Sequence, residues 1–139
     1  MRKIISATLF AMGVSVAALA QQPVPMASGP AKIFTTLPAG TTVTNFYKQN
    51  VYDPSDSKIG DVDDMLIDKE GRVTALIIGV GGFLGMGEKN VAIPFSDIRA
   101  SEKNNNKWYL VLNTTKDALK TAPGYTYDKT KTTWLPAAK

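Results

Sequence analysis

The sequence predicts an all-β fold: a small single β-barrel of five or six strands with one short C-terminal helix. Three observations predict it. Short runs rich in Val, Ile, Leu and aromatic residues recur from about residue 44 to residue 112, each bounded by Asp, Pro, Gly or Asn turn chemistry. One of these runs is apolar on both faces, as a strand in the middle of a sheet must be. Only one stretch, near residue 116, carries both a helix start and a helix stop. Short strands at this spacing, with no internal repeat, describe a closed or nearly closed barrel.

The first strand is expected over Thr44 to Tyr52. Asp53-Pro54-Ser55-Asp56 then supplies a turn, with Asp at its first position and Pro pre-set for its second. The second strand, Lys58 to Asp68, interleaves Ile59, Val62, Met65, Leu66 and Ile67 with acids and ends in Asp68-Lys69-Glu70-Gly71, a second turn. Arg72 to Val80 is the two-faced apolar strand. A glycine-rich stretch from Gly79 to Gly87 follows, then Asn90 to Phe95, where Val91, Ile93 and Phe95 alternate. Pro94 cannot donate a ladder bond, so that strand should lie at an edge or end at a bulge. Asn104-Asn105-Asn106 marks another turn before Trp108 to Leu112. In the helix, Thr114 or Thr115 can cap, Asp117 sits where the macrodipole favours an acid, Leu119 points inward, and Pro123 with Gly124 stops it. Residues after Tyr127 read as a polar tail, so the domain is expected over 43–125 and the tail over 126–139.

The two flanks of the chain are read differently. Arg2 and Lys3 precede an uncharged run from Ile4 to Ala20 that ends in Ala18-Leu19-Ala20, which is the layout of a secretory signal peptide cleaved after Ala20. The same 17 residues reach the lower edge of what spans a bilayer, but the small-residue end and the polar Gln21-Gln22 favour cleavage. With the signal removed, no stable membrane insertion is expected and the location is periplasmic or secreted. Residues 21–42, with Pro23, Pro25, Gly29, Pro30, Pro38 and Gly40 among Ala, Ser and Thr, read as a flexible lead.

Composition excludes several function classes. The sequence holds no cysteine, which removes disulfides, thiolate nucleophiles and iron–sulfur ligation, and no histidine, the commonest general base and transition-metal ligand. Of sixteen Lys and Arg residues two lie in the signal, which leaves fourteen against twelve acids and a mature charge of +2. Nucleic acid is therefore not an expected partner.

Four motifs invite chemistry. The glycines fail the phosphate patterns: Leu84 stands where the dinucleotide spacing needs Gly, and Glu88 intrudes before Lys89. They serve better as a wide turn, whose Phe83, Leu84 and Met86 either fold back over the barrel mouth or project as a docking patch. Asp53, Asp56, Asp61, Asp63, Asp64, Asp68 and Glu70 put seven of the twelve acids within eighteen residues, yet the calcium-loop pattern is not met. Strand alternation would also set Asp61 and Asp63 on one face and Asp64 and Asp68 on the other. Cross-strand pairing with cations such as Arg72 is the expected role of this cluster, and Asp64 could be a semi-buried carboxylate held by turn amides. Ser55-Asp56-Ser57-Lys58 fits the S-x-x-K string of acyl-transfer enzymes but lies in a turn. Asn113-Thr114-Thr115 fits a glycosylation sequon, expected to be unused in a bacterial protein.

The order of these residues resembles one family. Lys58 to Asp68, Gly71-Arg72-Val73, Ile77 to Gly85, Val91-Ala92-Ile93-Pro94-Phe95, and Leu112 to Lys116 running into Leu119 and Pro123 resemble the PRC-barrel domain over roughly residues 46–125. The resemblance implies a small barrel of the kind found in a photosynthetic reaction-centre subunit and a ribosome maturation factor, where it serves assembly and partner contact without chemistry of its own. An export signal here replaces the membrane helix of the former, so the partners of those proteins do not transfer.

The expectation is thus a non-enzymatic protein-binding or assembly module, without cofactor, whose partner is another envelope protein. Two alternatives stay open: a calcium- or surface-binding envelope stress protein, and a small-ligand carrier.

Overall fold

The computed structural model describes residues 29–81, 87–103 and 107–138. The chain divides between Leu37 and Pro38, and the strands and the α-helix found among the described residues lie in the unit from Pro38 on. Residues 29–37 are exposed and form no helix or strand. The expected signal, residues 1–20, and the first part of the lead lie outside the described residues. Among the described residues, no helix is long and apolar enough to cross a membrane.

The second unit is mainly β. Its strands are β1 (Asn50–Tyr52), β2 (Lys58–Ile67), β3 (Val73–Val80), β4 (Lys89–Pro94), β5 (Ile98–Lys103), β6 (Lys107–Leu112), β7 (Tyr125–Asp128) and β8 (Thr133–Pro136), with α1 (Lys116–Thr121) between β6 and β7. They form one sheet in the order β5-β6-β1-β2-β3-β4-β7-β8, antiparallel except where β1 meets β6. The expected closed or nearly closed barrel of five or six strands is corrected by this topology: the described residues form eight strands, and no ladder among them joins β5 to β8.

The sheet is nevertheless strongly curled, and chain connectivity requires it. β4 and β5 stand five ladder steps apart, which in a flat sheet is about 24 Å. They are joined only by the 3-10 turn Phe95–Asp97, and the four Cα steps from Pro94 to Ile98 span at most about 14 Å. Curling the six strands toward a barrel is the way to reconcile the two lengths.

The concave side holds the core. Val51, Ile59, Val62, Leu76, Ile78, Val80, Val91, Leu110, Leu112 and Leu119 are buried there with Phe46, whose ring lies 5.3 Å from Phe95 and 6.1 Å from Trp108. β3 occupies the interior of the sheet, as its two apolar faces predict, and β4 ends at Pro94. The helix starts where expected: Thr115 Oγ1 accepts from the Ala118 amide at 3.1 Å, Asp117 lies in the first turn, and Leu119 is buried.

Three local expectations change. The first strand is shorter than residues 44–52, because Val43–Asn45 is a 3-10 turn and Lys48 takes a left-handed φ of 61° that lets Phe46 reach the core. β5 went unread because an edge strand with exposed Arg99, Ala100, Ser101 and Glu102 has no apolar alternation to read. The polar tail is a β-hairpin, β7–β8. Tyr125-Thr126-Tyr127 and Thr133-Trp134-Leu135 have strand propensity, and Asp128 Oδ1 turns the chain by accepting from the Thr130 and Lys131 amides.

Candidate functional site

The expected acids gather on the convex face of β2, β3 and β4, and a β-bulge decides how. In the β2–β3 ladder Asp61 faces Gly79, Val62 faces Ile78, and Asp64 faces Ile77, so Asp63 is the extra residue. The bulge corrects simple alternation. Val62 and Ile78 stay in the core, while Asp61 and Asp64 come onto the same convex face as Gly79 and Ile77. On β4 the row continues to Asn90 and Ala92.

Close approach at this point needs glycine. A Cβ on Gly60 would collide with the Gly79 carbonyl oxygen, and one on Gly79 would collide with the carboxylates of Glu88 and Asp63. The bare backbone of Gly79 is the floor on which those two side chains meet. Asp61, Asp63 and Glu88 each offer an oxygen, all within 4.8 Å of one another.

Their charges are compensated from within the chain. Lys48 Nζ lies 2.5 Å from Asp63 Oδ1, and Lys58 Nζ 2.9 Å from Asp61 Oδ1. The hydrogen bond with Asp63 pushes the Glu88 carboxyl above its ordinary range, with burial adding to the effect, so Glu88 holds its proton more readily than a free glutamate. The Asp63 hydrogen bond likewise raises Lys48. Calcium takes six to eight oxygens, whereas here three side chains converge and two of them, Asp63 and Asp61, are already paired with lysines.

Asp64 and Asp68 have other work. Asp64 is half-buried and accepts from its neighbour's amide, Met65 N, and from the Trp134 indole Nε1, both at 2.8 Å. The carboxylate is thus semi-buried as expected, with a strand amide and a distant indole in place of turn amides. Asp68 closes the β2–β3 turn by accepting from the Glu70 and Arg72 amides and the Arg72 Nε. These bonds hold its carboxyl below the usual range, and Arg72 is the cross-strand partner anticipated for it. Gly71, at φ 82°, completes that turn.

The remaining motifs resolve as follows. Phe83, Leu84 and Met86 lie outside the described residues, between Gly81 and Gly87, whose φ values of 78° and 73° fit the glycine turn. In the S-x-x-K string, Ser55 and Ser57 donate their amides to Asp53 Oδ1 and Lys58 pairs with Asp61, so the string is turn chemistry. In the same turn Asp56 accepts from the Tyr109 hydroxyl, which pushes the phenol up to about 12. Thr115 of the sequon is the helix cap.

Two clefts border the convex face. A small polar one of about 210 Å³ lies beside Gly60, Gly79 and Gly81, with Lys58, Asp61 and Lys116 around it. A wider one of about 600 Å³ runs between Glu88, Asn90 and the hairpin residues Tyr125, Tyr127 and Trp134. Three contributors escaped the sequence reading: Lys48, Glu88 and Trp134. Glu88 was legible only as the residue that spoiled a phosphate motif, and pairs separated by 15 to 70 residues leave no local pattern.

A curled sheet with a hydrophobic concave side, a short helix after the sixth strand and a charge-paired convex face defines a small, mainly β domain built around packing. The PRC-barrel domain model matches residues 41–119, more than half of the chain, and the chain belongs to that family. No curated protein matches it. The matched residues contain β1 to β6 and reach Leu119 in α1, and β7 and β8 come after them.

Proposed function

We propose that this protein is a non-catalytic partner-binding or assembly module of the bacterial envelope. Its PRC-barrel membership carries the reading, because barrels of this kind serve assembly and contact in the proteins they resemble. Two features support it. The sequence contains neither histidine nor cysteine, and the acids that could act as proton donors or acceptors are tied to Lys48, Lys58, Arg72 and Trp134. Met1 to Ala20 directs export and is removed, and the mature chain works in the periplasm or outside the cell.

The docking residues in this reading are the apolar trio Phe83, Leu84 and Met86, which lie in sequence between Gly81 and Gly87. Apolar side chains that a partner buries contribute affinity. Pull-down from envelope extract should recover a discrete partner with the wild-type chain and lose it with Phe83→Ser and Met86→Ser combined. Recovery of nothing specific, or no difference between the two baits, would overturn the reading.

A further inference from the structure

The β7–β8 hairpin is attached to the rest of the sheet in an unusual way. β3 pairs with β2 and with β4 along most of its length, whereas β7 meets β4 at the single pair Asn90↔Tyr125. No hairpin residue belongs to the buried core. The seam is open: the 600 Å³ cleft runs along it, and Asn90 Oδ1 is buried beside it without a hydrogen-bond partner. Inside the hairpin the bonding is complete, with four ladder pairs, the Asp128 turn at one end and the Ala137 amide on the Gly124 carbonyl at the other. The hairpin is thus bonded more extensively within itself than to β4.

Its main tie is long-range. β8 stands four ladder steps from β2, about 19 Å in a flat sheet, yet Trp134 Nε1 donates to Asp64 Oδ2 at 2.8 Å. The hairpin must therefore fold back over the convex face. Ile77, the cross-strand neighbour of Asp64 on that face, has no exposed surface although it lies outside the core cluster. The indole clasped to Asp64 stands where such a cover is needed.

We propose that the β7–β8 hairpin is a detachable strap: it lifts off as one unit about the Ala122-Pro123-Gly124 link when the Trp134–Asp64 clasp breaks, and bares Ile77 and Asp64 while the six-stranded sheet stays folded. The link suits a hinge, since α1 ends at Thr121, Pro123 cannot continue it, and no ladder pair falls on residues 122–124. The chemistry of the seat also fixes what competes for it. An apolar residue flanked by a carboxylate that accepts an N–H takes an aromatic donor, and Trp134 supplies one in cis.

Hydrogen exchange on the intact protein tests this, because segments that open separately exchange at their own free energy. The amides of β7 and β8 should exchange together, at least about a hundredfold faster than those of β3. Trp134→Phe, which keeps a ring but removes the donor, should speed exchange of residues 125–136 by about tenfold, the loss expected for a hydrogen bond to a charged group, and leave β2 and β3 unchanged. Asp64→Asn, which keeps an acceptor without the charge, should give a smaller increase in the same residues. Hairpin amides as slow as those of β3, or variants that speed the whole sheet equally, would overturn the strap.

Discussion

Glu88 and Asp63 meet over Gly79 because no side chain stands there, and the meeting has a thermodynamic sign. The folded state holds a proton on Glu88 more tightly than the unfolded chain, so the Glu88 contribution to stability is fully present below the ordinary value of 4.5 and is lost as pH rises through the elevated folded value. Glu88→Gln removes the repulsion at neutral pH. Its melting temperature should exceed wild type by a few degrees at pH 7, and the difference should vanish in scans below pH 4.5. Asp68 runs the opposite way: its lowered carboxyl contributes above the unfolded value and loses that contribution in acid. Adding millimolar calcium should leave the wild-type melting temperature unchanged, since Lys48 and Lys58 already pair with two of the three carboxylates; a rise would assign the cluster a cation by mass action. Gly60→Ala should be costly, about 3 kcal/mol by denaturant unfolding, because the backbone carbonyl of Gly79 blocks the new methyl. Much at this scale was legible. Asp68 with Arg72, the Asp53 turn and the Thr115 cap are local patterns written within a few residues. The Asp63 bulge was not, because inserting one residue into a ladder depends on the partner strand.

At the scale of elements, legibility followed burial. β3 declared itself through Leu76, Ile77, Ile78 and Val80, all without exposed surface or nearly so, and α1 through its cap, its acid and its stop. Leu76→Ala should cost about 3–4 kcal/mol in urea unfolding, the loss expected for a fully buried leucine whose cavity cannot collapse. Thr115→Ala should cost about 1 kcal/mol, the usual value of an N-cap. β5, β7 and β8 were harder to read because they lie toward the ends of the sheet and bury little: β5 is mostly polar, and β7 and β8 are runs of four residues, too short for alternation to show. In β8 the only strong mark is Trp134, whose partner Asp64 is 70 residues away.

The molecule as a whole joins a family domain to two additions of different kinds, a lead of proline, alanine and threonine before it and a hairpin after it. Curling follows from connectivity, since three residues between β4 and β5 cannot bridge a flat sheet, and the filled concave side leaves the surface as the place where the domain can act. The proposed function puts another envelope component on that surface. Crosslinking of the tagged, full-length chain in the intact envelope should yield a discrete adduct that contains a second envelope protein and disappears when Phe83 and Met86 are both changed to serine. Recovery of the uncrosslinked chain alone, or an adduct that survives the double change, would contradict it.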